Sequence, residues 1–219
     1  MLTLPKLDGN PPLVVEVWGD AALFTRPDSK VERQSYPVMT PTAAVGLLEA
    51  IFWKPEFSWQ VCVIEVLAPI QEATVRRNET VRVVSKDGAL AGETVDTAAH
   101  RTQRASTYLR DVRYRIHAHV VLRPHASEPA AKYRDQFRRR VERGACFSQP
   151  YFGTREFPAN FGPASDRQPI SLTTDLGVML HSIMHGQHGR DPRSHWFTAR
   201  LDQGILHVPK DGIAVEVGP

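Results

Sequence analysis

Cysteine is nearly missing from this chain: its 219 residues carry two, Cys62 and Cys146. They stand far apart and form no C-x-x-C, so a disulfide framework and a four-thiolate zinc site are both excluded, and two buried thiols are expected. Long hydrophobic runs are missing too. No window reaches 18 uninterrupted apolar residues, and the amino-terminal stretch is broken by Pro5, Lys6, Asp8 and Pro11. Neither a membrane span nor a signal peptide is expected, which implies a cytoplasmic protein with no membrane partner. A Walker loop, a G-x-S-x-G elbow and a dinucleotide fingerprint are likewise absent from the sequence, which removes several common nucleotide and acyl-transfer chemistries. No cofactor is expected.

Lysine is also scarce, with 6 against 21 arginines. The formal net charge is only +3, yet residues 76–143 hold 16 basic against 8 acidic side chains while the rest of the chain is acidic. Guanidinium matches phosphate through two parallel hydrogen bonds, so an arginine-rich middle suits a polyanion, and nucleic acid is the first partner to test.

Residues 13–18 (LVVEVW) are short and rich in β-branched types and read as a strand. Thr40 is an N-cap candidate ahead of Pro41, and Ala44, Leu47, Leu48, Ile51 and Phe52 recur at helical spacing until Pro55. Residues 59–67 (WQVCVIEVL) read as a central strand covered on both faces. Residues 68–107, with loop signals at Asp87-Gly88 and Gly92, read as an inserted hairpin and a mobile loop. Residues 112–121 then alternate, placing Arg113, Arg115, His117 and His119 on a basic face and Val112, Tyr114, Ile116, Ala118 and Val120 on a core face. A second helix is expected over 129–143, with Tyr133, Phe137 and Val141 as its seam and Gly144 past its end. A strand around 151–157 completes βαββαβ, the ferredoxin-like order that RNA-recognition domains also use. The fold class is α+β. Residues 1–160 form that domain, and 161–219 a small antiparallel β domain with short apolar runs at 170–172 and 204–208.

Three blocks, VWGDAALFTRPDSKVERQSYPVMTP (17–41), LLEAIFWKP (47–55) and FRRRVERGACFSQPYFGTREFPANF (137–161), resemble the d subtype of the Cas-five family, the CRISPR-associated subunit of type I-C systems. VRRNE (75–79), QRASTYLRDVRYRIHAH (103–119) and DLGVML (175–180) follow in the same order. The resemblance implies a ferredoxin-like amino-terminal domain and recognition of CRISPR repeat RNA. It implies an endoribonuclease that cuts precursor CRISPR RNA beside the repeat hairpin without metal. The protein then caps the 5′ handle in an interference complex, with backbone and large subunits as partners and target DNA reached through the complex.

Cleavage of that kind uses the neighbouring 2′-hydroxyl as nucleophile, so the protein must accept a proton, stabilise charge on phosphorus and protonate the leaving 5′-oxygen. The positions at which the family places a Tyr and an adjacent Lys-His pair read Phe52, Lys132 and Tyr133 here. Only Lys132 matches. Phe52 has no ionisable group, so restoring a hydroxyl by Phe52→Tyr is expected to keep or raise activity. Tyr133, with an ordinary pKa of about 10, is a poor base, and its place on the apolar seam equally fits core packing. His117 and His119 either take over proton transfer or simply hydrogen-bond to RNA and neighbouring side chains. Candidate RNA contacts are Arg26, Arg33, Tyr36, Arg76, Arg77, Arg113, Arg115, Arg138 and Arg139. Arg138, Arg139 and Arg140 are spread over about 200° of helix, so they cannot all meet one strand. His181 and His185, with His188 and His195 beyond, have zinc-like spacing but lack the glutamate of H-E-x-x-H, and no metal is expected. The competing expectation is an RNA-binding structural subunit without cleavage.

Overall fold

The computed structural model describes residues 4–29, 31–184 and 193–214. Its elements run β1 (Leu13–Ala22), α1 (Pro41–Ile51), β2 (Phe57–Val66), β3 (Glu72–Thr80), α2 (Lys86–Leu90), β4 (Arg101–Leu122), α3 (Ala130–Arg143), β5 (Asn160–Gly162), β6 (Thr174–Met184), β7 (Arg193–Asp202), β8 (Ile205–His207) and β9 (Ile213–Ala214). No helix among the described residues is long and apolar enough to cross a membrane.

β4 organises the sheet because it has different partners along its length. Its second half lies between β1 and β2, antiparallel to both, with Leu13 opposite Ala118 and Trp59 opposite Val120. There the alternation read from sequence holds, and Val112, Tyr114, Ile116, Ala118 and Val120 are all buried. Its first half pairs with β3, from Arg101 opposite Thr80 to Leu109 opposite Glu72, and gains neighbours on its other side only near the end, where Thr107 bridges Gln34 and Leu109 meets Ala22 of β1. This ribbon is the expected inserted hairpin. The strand starts well before the apolar alternation does, because a two-stranded ribbon largely open on both faces needs no buried stripe.

Both long helices follow their sequence signals. Thr40 caps α1, its Oγ1 accepting from the Ala43 N–H at 3.2 Å, with Pro41 in the first turn. α3 ends on Gly144 at φ 63°, a left-handed cap that glycine adopts without Cβ strain. Its Tyr133, Phe137 and Val141 enter the same core as Leu47, Leu48 and Ile51 of α1. Phe52, Phe57, Trp59, Tyr133 and Phe137 lock the two helices to β2 through ring centroids 4.8–5.4 Å apart. Each such pair adds about 0.5–1.5 kcal/mol beyond area burial.

Two expectations change. Residues 151–157 are not a strand: Tyr151 and Pro158 make one isolated bridge, and Phe152 accepts from the Leu23 N–H at 3.1 Å. Gly153, at φ 79°, passes so close to the Leu23 carbonyl that a Cβ would collide with it. The left-handed glycine bends the chain away, and Asn160–Gly162 pairs with β1 instead. Residues 170–172 also form no strand, although the Ile170 N–H donates to the Val66 carbonyl. At the other edge β8 pairs with β2, Val63 opposite His207, and the sheet runs on through β7 to β6 in the order β5-β1-β4-β2-β8-β7-β6. The carboxy-terminal strands thus extend the same hydrogen-bonded sheet.

Candidate functional site

Of the three positions singled out by resemblance, Lys132 and Tyr133 lie in the first turn of α3, while Phe52 reaches Tyr133 only through the Phe57 ring between them. Lys132 is exposed and pairs with Glu128 at 2.5 Å. Its hydrogen bond to the Glu128 carboxylate raises its pKa, so it is an ammonium group at neutral pH. Ahead of it, Pro129 offers no side-chain cap, leaving the start of α3 open to an anion. Tyr133 and Phe52 flank the Phe57 ring, at centroid distances of 5.3 and 5.4 Å. Tyr133 is buried, and its hydroxyl has no hydrogen-bond partner among the described residues. Burial, reinforced by the Glu56 and Glu128 carboxylates, raises its pKa, so it remains protonated and cannot serve as a base.

Phe52 is a core residue, 1% exposed. Its carbonyl accepts from Trp59 Nε1 at 3.0 Å, and the Arg140 guanidinium lies 5.3 Å from its ring centroid. A hydroxyl here would therefore not come at the small packing cost expected from sequence. Phe52→Tyr is expected to lose about 1–3 kcal/mol for a buried hydroxyl without a built partner and to gain no cleavage. Denaturant melts beside a cleavage assay measure both.

The polar face of β4 differs from the open basic surface expected. Glu16 of β1 and Glu65 of β2, each set within an apolar run, turn toward it. Arg115 contacts Glu65 at 2.8 Å and Glu16 at 3.5 Å and donates to the Ser165 and Arg167 carbonyls at 2.7 and 2.9 Å. Arg113 meets Glu16 at 3.2 Å and lies over the Trp18 ring at 4.7 Å. His117 Nε2 is 2.6 Å from Glu65, and His119 Nε2 donates to the Pro5 carbonyl at 3.0 Å. Both histidines are buried. Burial lowers the pKa of His119, helped by the Arg134 charge. For Glu16, burial acts upward, but hydrogen bonds from the Ser165 N–H and Oγ and the charges of Arg113 and Arg115 outweigh it and lower the pKa. This face is neutralised internally and closed by Pro5 and the segment around Ser165. It cannot stack bases as RNA-recognition sheets do. A single glutamate inside each of LVVEVW and WQVCVIEVL, facing cationic residues across the ladder, was the sequence signal for this closure.

The remaining arginines divide sharply. Arg26 pairs with Asp28 at 3.2 Å, Arg33 with Glu79 at 3.7 Å, Arg77 with Glu156, and Arg138 with Asp135 at 2.8 Å. Tyr36 is buried beneath Arg26 and offers no open ring. Arg76 on the ribbon and Arg139 on α3 are exposed and make no ion pair within the described residues. Arg140 points inward, donating to the Ile51 carbonyl at 2.9 Å and holding the end of α1.

His181 lies on β6, a strand, and hydrogen-bonds to the Pro209 carbonyl at 2.9 Å. His185 and His188 lie outside the described residues. Among the described residues no cluster of three metal-ligating side chains occurs. Cys62 is buried, and burial pushes its thiol up to about 11. Cys146 is exposed, contrary to expectation, because it falls just beyond the Gly144 cap, where the chain leaves the core.

A model of the CRISPR-associated protein (Cas_Cas5) family, Cas_Cas5d, matches residues 12–209. The CRISPR pre-crRNA endoribonuclease Cas5d of Mannheimia succiniciproducens is 43% identical over 213 residues, covering 89% of this chain and 93% of its own. The protein of the same name from Thermus thermophilus is 43% identical over 216 residues, covering 91% and 92%. Among solved structures, a CRISPR-associated protein superposes with a TM-score of 0.66 at 23% identity, over 90% of this chain and 91% of its own. A chain of a CRISPR RNA-guided surveillance complex gives 0.53 at 14% identity, over 95% and 94%. These last two share the fold, while the family match and the 43% relatives reach nearly end to end, and the chain belongs to the Cas5d family of CRISPR-associated proteins.

Proposed function

We propose that this protein is a precursor CRISPR RNA endoribonuclease that works without metal, cuts beside the repeat hairpin and then caps the 5′ handle within a type I-C interference complex. The observation that carries this reading is Lys132. It is the family's cationic position kept in kind, exposed at the uncapped start of α3, where a phosphate gains from both the ammonium group and the helix dipole. We read residues 1–160 as ferredoxin-like, supported by the antiparallel order β5-β1-β4-β2 and by α1 and α3 sharing one core. We read 161–219 as an addition that widens this sheet. With the opposite sheet face closed, RNA is read as lying across the start of α3 and Arg139, with Arg76 on the ribbon a separate contact.

Repeat RNA carrying 2′-deoxy at the cleavage nucleotide is expected to bind normally and survive, while the all-ribose substrate is cut in EDTA to a 2′,3′-cyclic phosphate. Cutting of the deoxy substrate at the same bond would require another nucleophile and would overturn this mechanism. Binding of repeat RNA with no cutting by the native chain would favour the structural-subunit reading, which the changes at Phe52 and Tyr133 support.

A further inference from the structure

Neither side chain with an ionisable group among the three family positions can accept a proton here. Lys132 is held as a cation by Glu128, Tyr133 is a buried, protonated phenol, and Phe52 is inert. His117 and His119 are buried on the sheet face already closed by the chain itself. A base must come from elsewhere on the rim around Lys132, and one exposed imidazole is built into it.

That imidazole is His125, in the loop joining β4 to α3. Its Nε2 lies 3.0 Å from the Pro55 carbonyl. A carbonyl only accepts, so Nε2 carries the hydrogen, and in the neutral ring the lone pair resides on Nδ1. The loop is tied down where it leaves β4 and closed by a turn of its own. The Arg123 N–H donates to the Glu56 carbonyl at 2.8 Å, and the Ala126 N–H donates to the Arg123 carbonyl at 2.9 Å. Glu56, the next residue after Pro55, lies close enough to Tyr133 for its carboxylate to act on that hydroxyl. Glu128, three residues after His125, holds Lys132. Residues 55–56, 123–128 and 132–133 thus form one continuous rim. It carries an exposed imidazole with a fixed tautomer, an exposed ammonium and an uncapped helix start.

We infer that His125 is a catalytic residue of this chain, its Nδ1 taking the proton of the attacking 2′-hydroxyl at a phosphate held by Lys132 and the start of α3. The assignment rests on the endoribonuclease reading. In the step, the O2′–H bond breaks and its proton passes to Nδ1 while O2′ forms a bond to phosphorus. The P–O5′ bond then breaks, and O5′ takes a proton from the Lys132 ammonium, which is restored from water. The products are a 2′,3′-cyclic phosphate and a 5′-hydroxyl. The charged groups along this rim are Glu49 of α1, which interacts with Arg123, Lys54 and Glu56 from the α1–β2 connection, Arg123 and Glu128 from the loop itself, and Lys132 from α3, so the rim as a whole is near neutral.

Native protein, His125→Ala and His125→Gln are compared in EDTA with the repeat hairpin RNA of the same locus, by single-turnover cleavage across pH and by binding titration. Glutamine can still donate to the Pro55 carbonyl but cannot take the proton, so a role limited to holding the loop would be rescued by it. Both variants are expected to bind within about twofold of native and to cut about 10²-fold more slowly. They should also lose the fall in rate at acid pH that a histidine base imposes. His125→Gln cutting at the native rate, or keeping the native pH profile, overturns the assignment while leaving the endoribonuclease reading intact. A native protein that binds this RNA and does not cut it overturns both.

Discussion

Lys132→Ala is expected to slow single-turnover cleavage by about 10²–10³-fold and to shift repeat-RNA affinity by less than about twofold. The asymmetry follows from what each quantity measures. A cation beside the scissile phosphate acts most strongly when charge grows in the transition state, whereas affinity is distributed over many phosphate contacts. Lys132 is exposed and bonded only to Glu128 among the described residues, so its removal leaves no buried partner and the fold should hold. Rate and affinity are read from one titration series. Equal losses in both would make Lys132 an ordinary binding residue, and no loss in either would place the reaction elsewhere.

Arg115→Ala is expected to act in the opposite way, on stability. It removes the guanidinium that joins Glu16 to Glu65 and leaves two buried carboxylates under-compensated. Breaking such a network costs about 3–5 kcal/mol, which in a chain of this size lowers Tm by about 10 °C or more. Its counterpart is Arg76, exposed and without an ion pair in the described residues: Arg76→Ala should leave Tm unchanged and weaken RNA binding, with a salt dependence shallower by about one ion. Thermal melts and binding at two salt concentrations separate the pair. Acid should loosen the same network in the native chain. Folding lowers the pKa of Glu16, so the stability it contributes is present above the ordinary value of 4.5 and is lost as pH falls below it.

The contrast between these arginines marks where the sequence can be read. Alternation along residues 112–121 assigns Val112, Tyr114 and Ile116 to the core correctly, because burial on one sheet face imposes a period of two. The caps at Thr40 and Gly144 and the Tyr133–Phe137–Val141 seam are equally legible, since each depends on neighbours within one helical turn or the next. What faces Arg113 and Arg115 is decided by strands far away in sequence. Glu16 and Glu65 reach them only once β1 and β2 have settled on either side of β4. The chemistry of the site divides in the same manner. Lys132 is visible from its motif, but His125 stands in an aperiodic loop and gains meaning only when Pro55 closes against it. The outward-facing Cys146 and the loss of the strand expected at 151–157 both follow from left-handed glycines, at Gly144 and Gly153, that redirect the chain.

The pairing of β4 has a temporal side. β1 leaves the ribosome early, yet its partner at Ala118 arrives only after roughly half the chain has been made, and β2 waits for His207 to complete its outer edge. Until then both strands expose unpaired apolar edges, and every alternative partner competes for them. Non-local ladders of this kind fold slowly because chain closure precedes any compensating contact. During synthesis the nascent chain therefore passes through a long interval open to mispairing, and expression at lower temperature or with chaperones in excess should raise the yield of soluble protein more than any change at the site itself.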